Sequence, residues 1–400
     1  MIKKDKALIE RLAYSKNHEA NLVNYCYIYN GDKSIRWMYE SNLKNPTFLN
    51  FYSSSTLKSK LIKFSIKLLF KLRLFNIIFA HKIDIEVMKN SMLDQLSSNS
   101  DNICHSIFFG TAGKNKKIVV NINKLNGESS YLKLAISDNS ELLINNESMI
   151  LNTLAKKDLK YAVCPKVLKS KLPFLIEVTN IKPKKQSQPL NLSSIHFDAI
   201  NEINAINSLS IKLSSLINSY PILSNISEFK KMKPVDNDLC TESINQYVDI
   251  AQETMQLLDQ EELIECGLAH GDFTPWNIYL NENKSKISIF DWELSGLSLP
   301  IFYDIFHYAF QSNVLIKQSK FIDFKLDLLK IFDQINQSKY SKVKIKNLNT
   351  NYIFYLLHVS SYYINLYIEQ EKLHEQALWL IQCWIDALSD INKNNGALNE

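Results

Sequence analysis

Two neighbouring stretches of the sequence carry acidic and amide side chains in an order that suits chemistry on phosphate groups. The first reads HGDFTPWN at residues 270–277, so Asn277 follows Asp272 by five positions. The second contains Asp291 and is reached through two short apolar segments joined by a polar turn at 281–286. Phosphoryl transfer needs a carboxylate that orients the acceptor hydroxyl and oxygen ligands that hold Mg²⁺. Because one hairpin can bring an acid, an amide and a second acid together, the sequence predicts a phosphotransferase.

A resemblance to a known family rests on H-G-D-x-x-P-x-N at residues 270–277 and D-W-E at residues 291–293. These motifs resemble those of the aminoglycoside phosphotransferase and choline kinase family, whose members are protein-kinase-like enzymes. The resemblance implies that Asp272 is the catalytic base and that His270 braces the loop. It also implies that Asn277 and Asp291 bind Mg²⁺. Glu293 then has two alternative roles, a water-mediated contact with the metal or stabilisation of the loop.

The P-x-x-x-D element at residues 300–304 also matches this family. We expect Asp304 to accept hydrogen bonds from the backbone of the loop that carries Asp272. A structural role for Asp304 ranks above a role in substrate binding.

An upstream lysine is the candidate ligand for the nucleotide. Lys133 lies in the apolar run Leu132–Ile136, an unusual place for an ammonium group that has no partner. It resembles the strand lysine that holds the α- and β-phosphates of ATP, and Glu147 resembles the glutamate that pairs with that lysine. Glu141 is the rival partner. The alternative is an edge-strand lysine that points to solvent.

Two further segments match the expected order of a nucleotide-binding region. Gly110 and Gly113 lie between two predicted strands, where backbone N–H groups could approach phosphates, although a plain hairpin turn explains them nearly as well. Residues 176–180 fall where the adenine contacts are expected. Such contacts are made by the backbone, so the cofactors predicted are Mg²⁺ and ATP, with GTP as an alternative nucleotide.

The order of elements predicts an α+β protein with a protein-kinase-like two-lobed fold. Residues 1–100 form an N-terminal extension with a hairpin at 25–39 and a basic helix, and residues 101–182 form a small antiparallel-sheet N-lobe that binds the nucleotide. Residues 183–400 form a catalytic C-lobe that is mostly helical, with one β interruption at 277–292. In this interpretation the two lobes hold the nucleotide between them.

The charge distribution marks one segment of the extension. The chain has a formal net charge of +5, yet residues 41–83 contain eight Lys and Arg and no Asp or Glu. Within this segment, residues 56–82 have the pattern of a basic amphipathic helix, which suits either peripheral contact with an anionic membrane or packing on the N-lobe. Charge confined to one segment argues against a protein that coats nucleic acid.

The expected location is the cytoplasm, with the inner face of the membrane as the alternative. The first residues lack an apolar signal region, and the six cysteines are widely and irregularly spaced. The aromatic residues Tyr362, Tyr363, Tyr367, Trp379 and Trp384 could line an acceptor pocket, although most are expected to belong to the core.

The acceptor is predicted to be a hydroxyl of a small molecule or a glycan. A sugar or amino sugar is favoured, including one used in surface polysaccharide metabolism. Choline or ethanolamine is the second acceptor class. A catalytically inactive, nucleotide-binding scaffold at a membrane surface is the rival from another functional class, and the presence of Asp272, Asn277 and Asp291 counts against it.

Overall fold

The computed structural model describes residues 3–51, 57–97, 103–110, 113–124, 126–183, 188–231, 238–337, 348–368 and 375–398. Its strands are β1 (Ala20–Tyr29), β2 (Ile35–Glu40), β3 (His81–Met88), β4 (Ile103–Phe108), β5 (Lys117–Lys124), β6 (Ser129–Ala135), β7 (Ala162–Val163), β8 (Val167–Lys171), β9 (Leu175–Thr179), β10 (Leu209–Lys212), β11 (Leu263–Ala269), β12 (Ile278–Leu280), β13 (Ile287–Ile289) and β14 (Gly296–Pro300).

The α-helices are α1 (Lys3–Ala13), α2 (Leu57–Lys71), α3 (Phe75–Ile78), α4 (Met92–Ser97), α5 (Asp138–Leu154), α6 (Ser194–Asn204), α7 (Leu213–Asn218), α8 (Pro221–Ser224), α9 (Asp238–Gln256), α10 (Tyr303–Gln311), α11 (Phe321–Gln337), α12 (Leu348–Ile368) and α13 (Glu375–Lys393). Short 3₁₀ turns cover Thr47–Phe51, Ile226–Lys231 and Trp292–Leu294, and a π turn covers Ser312–Ile316. Among the described helices, none combines the length and the apolar character that crossing a bilayer requires.

The chain divides into two compact units. The first unit comprises residues 1–156 and 165–181, and the second comprises residues 157–164 and 182–400. In the described residues of the first unit, eight strands form one antiparallel sheet in the order β3-β1-β2-β4-β5-β6-β9-β8. Residues 1–100 therefore contribute three strands to the same sheet as residues 103–179. The predicted hairpin at 25–39 is confirmed by the pairing of β1 with β2.

The sheet of the first unit is packed on both faces because successive residues of its strands, which point to opposite faces, are apolar. Met38 belongs to a buried cluster with residues of α1 and α4, whereas its neighbours Trp37 and Tyr39 belong to a second cluster with residues of α2 and α3. Successive side chains of a strand point to opposite faces of a sheet, so the two clusters lie on opposite faces. One sheet thus has an apolar core on each side.

The second unit is mostly helical, as predicted, but the prediction of a single β interruption is wrong. In the described residues, β10, β11 and β14 form one antiparallel sheet, and β12 and β13 form a hairpin to which β7 adds in parallel. Strands β10 and β14 are short, and β14 begins with glycine and ends with proline, so local sequence gives little β signal. Their pairing with β11 is what makes them strands. The predicted α+β class is confirmed.

Buried histidines, among them His105 and His196, make stability depend on pH. Burial lowers the pKa of both His105 and His196 to about 4. In the unfolded chain each imidazole has a pKa of about 6.5, so below that pH the unfolded state binds more protons than the folded state. The free energy of unfolding therefore decreases as the pH is lowered. Between pH 7 and pH 5 we expect each histidine to lower the free energy of unfolding by about 2 kcal/mol. Urea unfolding at several pH values measures this loss.

The control for this prediction is His105→Gln, which removes one titrating group from the first unit. Between pH 7 and pH 5 the free energy of unfolding of the variant should decrease less steeply than that of the wild type, whatever its value at pH 7. Equal slopes for the two proteins would contradict the assignment of His105 as a group that is neutral when folded.

Candidate active site

The loop that follows β11 is fixed by one buried carboxylate. Asp304, in the first turn of α10, accepts a hydrogen bond from the backbone N–H of His270 at 2.7 Å and another from the N–H of Gly271 at 2.9 Å. Burial raises the pKa of Asp304, while these two N–H groups and the nearby imidazoles oppose that rise. Gly271 has φ +81°, and a Cβ there would overlap the carbonyl oxygen of Leu294. The expected structural role of Asp304 matches this geometry.

His270 joins the same loop to the strand that precedes Asp291. Its Nδ1 accepts a hydrogen bond from the backbone N–H of Asp272 at 3.2 Å. The ring proton of the neutral imidazole must therefore be on Nε2, which donates to the carbonyl oxygen of Phe290 at 2.6 Å. One buried side chain thus sets the distance between the two motifs, in keeping with the bracing role proposed from the sequence.

Both oxygens of the Asp272 carboxylate have a hydrogen-bonding partner. The Asn277 amide nitrogen donates to Oδ2 of Asp272 at 2.8 Å and to its backbone oxygen at 3.0 Å. Oδ1 lies 3.0 Å from Nε2 of His307, a buried residue of α10. Asp272 itself stays about 20% exposed. It is therefore held in one orientation and remains partly open to solvent.

Asn277 and Asp291 stand at the open end of the β12–β13 hairpin. Ile278 pairs with Ile289, and the backbone N–H of Phe290 donates to the carbonyl oxygen of Asn277 at 2.9 Å. Asp291 follows directly, in a left-handed conformation with φ 62° that ends the strand and starts the turn at Trp292–Leu294. Non-glycine residues adopt this conformation rarely and often at functional sites. The hairpin brings the two predicted metal ligands to the same end, as the sequence indicated.

The donor set of this hairpin fits a hard divalent cation. The groups that Asn277 contacts through its nitrogen are both acceptors, so the nitrogen must face them and the amide oxygen must point elsewhere. That oxygen and the Asp291 carboxylate are the ligand types that Mg²⁺ prefers. Glu293, in the turn after Asp291, adds a second carboxylate to the same segment.

The first unit holds the predicted nucleotide ligand in a buried ion pair. Lys133 on β6 is 7% exposed and Glu147 on α5 is 1% exposed. The Lys133 ammonium lies 2.6 Å from each carboxylate oxygen of Glu147. The structure therefore selects Glu147 over Glu141 as the partner, and it excludes the alternative of a lysine that points to solvent. The helix begins at Asp138 rather than near Glu141 because Ser137 caps it.

The glycine turn between β4 and β5 is described only at its two ends. Gly110 has φ +73°, and a Cβ there would overlap the carbonyl oxygen of Lys117. Gly113 also has a positive φ, of 143°. Residues 111 and 112 lie outside the described residues. Gly110 is thus required by the close approach of β5, which fits the hairpin-turn alternative, and a phosphate contact at Gly110 and Gly113 stays a prediction.

Sequence reasoning missed His307. Its position three residues after Asp304 could have indicated that it also faces the loop of Asp272, because residues at i and i+3 share one face of a helix. Asp304 anchors the loop through its backbone, and the next turn of α10 then places His307 beside Asp272. A histidine in an apolar helix does not by itself indicate a role in the site, because its neighbours are unknown until the segment that packs against the helix is known.

Four of the five aromatic residues considered for an acceptor pocket are only partly buried, although most were expected to belong to the core. Trp384 is fully buried, but Tyr362, Tyr363 and Tyr367 are partly exposed and their rings contact one another. Burial, followed by the charge of the Asp272 carboxylate, raises the pKa of Tyr363. The three tyrosines are called the tyrosine cluster below, and Tyr363 is its member on which the charge of Asp272 acts.

Solved structures that this chain resembles include kinases and phosphotransferases. They include a Plasmodium vivax ethanolamine kinase (13% identity, TM-score 0.47, covering 87% of this chain and 94% of that one). They also include a spectinomycin phosphotransferase in complex with ADP and spectinomycin (13% identity, TM-score 0.45, 76% and 97% covered). No protein-family model matches the sequence, and neither does any curated protein.

Proposed function

We propose that this protein transfers the γ-phosphoryl group of a nucleoside triphosphate to a hydroxyl of a small molecule or a glycan. The observation that carries the proposal is the orientation of Asp272 by Asn277 and His307 beside a hairpin that ends in Asp291. A positioned carboxylate of this kind can orient an acceptor hydroxyl and accept its proton. ATP is the nucleotide we favour, and GTP is the alternative.

The roles proposed for the second unit concern the acceptor hydroxyl and the metal ion. In the second unit, Asp272 acts as the general base, and Asn277 and Asp291 would hold Mg²⁺. A bound Mg²⁺ neutralises negative charge on the phosphates. In the first unit, Lys133 binds the α- and β-phosphates. Both carboxylate oxygens of Glu147 hold the Lys133 ammonium in place.

For the acceptor, we favour a sugar or amino sugar, with choline or ethanolamine as the second class. The tyrosine cluster supports both classes, because aromatic faces stack on sugar rings and also bind quaternary ammonium groups. Burial raises the pKa of Tyr363, and the charge of the Asp272 carboxylate adds to that rise, which supports an acceptor site that includes both residues. We therefore assign the acceptor to the surface between the tyrosine cluster and Asp272.

The test is a phosphoryl-transfer screen of the full chain with Mg²⁺ and either ATP or GTP. Acceptors are sugars, aminoglycosides, choline, ethanolamine and lipid-linked glycans, and mass spectrometry detects a product that has gained one phosphoryl group. We expect one acceptor class to be phosphorylated by the wild type and not by Asp272→Asn. If the nucleotide binds but no acceptor on the panel is phosphorylated, the inactive-scaffold alternative replaces this proposal.

A further inference from the structure

Helix α2 carries three rows of side chains that differ in chemistry. The first row packs against the aromatic cluster on β2 and consists of Ile66, Leu69 and Phe70. The second row is basic and consists of Lys60, Lys63, Lys67 and Lys71. The third row is apolar yet exposed, and consists of Leu61, Phe64, Leu68 and Leu72 just past the helix end. At 100° per residue the exposed apolar row lies opposite the packed row, with the lysines between them.

The exposed apolar surface continues beyond α2. In and around α3, four more large apolar side chains are exposed: Leu74, Ile77, Ile78 and Phe79. Ile77 is 78% exposed and Phe64 on α2 is 65% exposed, so these side chains project well into solvent. Isolated exposed leucines need no explanation, but a continuous group of this size marks an interaction surface.

A basic cavity opens beside this apolar surface. It has a volume of about 690 Å³ and lies between the chain at 41–44 and the ends of α2 and α3. Its lining includes Lys44, Lys71, Arg73 and Lys82, and within the described residues no carboxylate lines it. Ile77 belongs both to the cavity lining and to the exposed apolar surface. The cations and the apolar side chains therefore form one continuous feature, called the docking surface below.

We propose that the docking surface binds an anionic lipid bilayer, with headgroup phosphates in the basic cavity and the exposed apolar side chains in the membrane interface. Charge complementarity selects this occupant, since residues 41–83 contain eight cations and no acid. A nucleic acid would match the cations but would leave the exposed leucines and isoleucines in water. An amphipathic surface of lysines beside large apolar residues suits the interface of an anionic membrane. This inference is independent of the proposed phosphoryl transfer.

The test is co-sedimentation of the full chain with phosphatidylcholine vesicles that contain or lack phosphatidylglycerol. We expect binding to the anionic vesicles only, and a decrease in binding as sodium chloride is raised. Lys44→Gln combined with Lys71→Gln should weaken binding about fivefold for each cation, on the order of 25-fold for the pair. Phe64→Ser combined with Leu68→Ser should weaken it by at least on the order of tenfold.

Matched control variants change the same residue types elsewhere on the surface. Lys156→Gln with Lys157→Gln, and Ile322→Ser with Leu326→Ser, alter exposed side chains outside the docking surface and should bind vesicles like the wild type. All variants replace exposed groups, so circular dichroism should report an unchanged fold. Failure of the wild type to bind anionic vesicles would overturn the proposal, as would binding that none of the docking-surface variants weakens. A dimer in lipid-free sedimentation that Phe64→Ser with Leu68→Ser dissociates would assign the surface to self-association instead.

Discussion

For Asp272→Asn we expect a kcat for the proposed phosphoryl transfer that is lower by about 10²- to 10⁴-fold, the usual contribution of a general base. Asparagine has nearly the shape of aspartate, so the contacts with Asn277 and His307 can be kept through its amide group. It cannot accept the proton of an acceptor hydroxyl. Because the nucleotide is assigned to other groups, its dissociation constant should change little. Steady-state kinetics gives kcat, and calorimetric titration of the nucleotide gives the affinity.

The matched control is His307→Gln, which replaces the other neighbour of the Asp272 carboxylate. We class His307 as a positioning residue, because its Nε2 contacts Oδ1 of Asp272 at 3.0 Å. Glutamine offers a donor in the same place, so kcat should fall far less than for Asp272→Asn. An Asp272→Asn protein with kcat within tenfold of the wild type would rule out the base assignment.

The parts of the site that sequence could predict are those built from contacts close along the chain. Asp272, Asn277 and Asp291 are joined by a short loop and one hairpin, so their order and spacing nearly determine their arrangement. Lys133 was detectable because a charged residue interrupts an apolar strand, and such a residue needs a buried partner. To choose Glu147 over Glu141 as the partner of Lys133, one must know where α5 begins. The cap at Ser137 sets that starting point.

The remainder of the site depends on contacts between distant segments, which local patterns do not record. β10 and β14 become strands because each pairs with β11, although the three segments are well separated in sequence. His307 reaches Asp272 because Asp304, one turn earlier on α10, binds the backbone of the loop after β11. The exposure of the apolar row of α2 could not be predicted from the sequence either, because an apolar pattern does not show which residues another segment covers.

For Lys133→Met we expect a decrease both in the stability of the first unit and in the rate of the proposed phosphoryl transfer. Removing the ammonium leaves the Glu147 carboxylate buried, at 1% exposure, without its partner. Losing one member of a buried ion pair typically costs about 3–5 kcal/mol of unfolding free energy. If Lys133 also binds the nucleotide phosphates, the variant should lose activity beyond what partial unfolding explains. Urea unfolding and steady-state kinetics on the same preparation separate the two effects.

The double variant Lys133→Met with Glu147→Leu decides between a structural and a functional role. It replaces both charges with apolar groups, and such exchanges of buried ion pairs are often neutral or stabilising. We therefore expect the double variant to regain most of the stability lost in Lys133→Met while its nucleotide affinity and phosphoryl-transfer rate stay low. Recovery of activity together with stability would show that the ion pair only holds β6 to α5, and the nucleotide phosphates would then have to be bound by other residues.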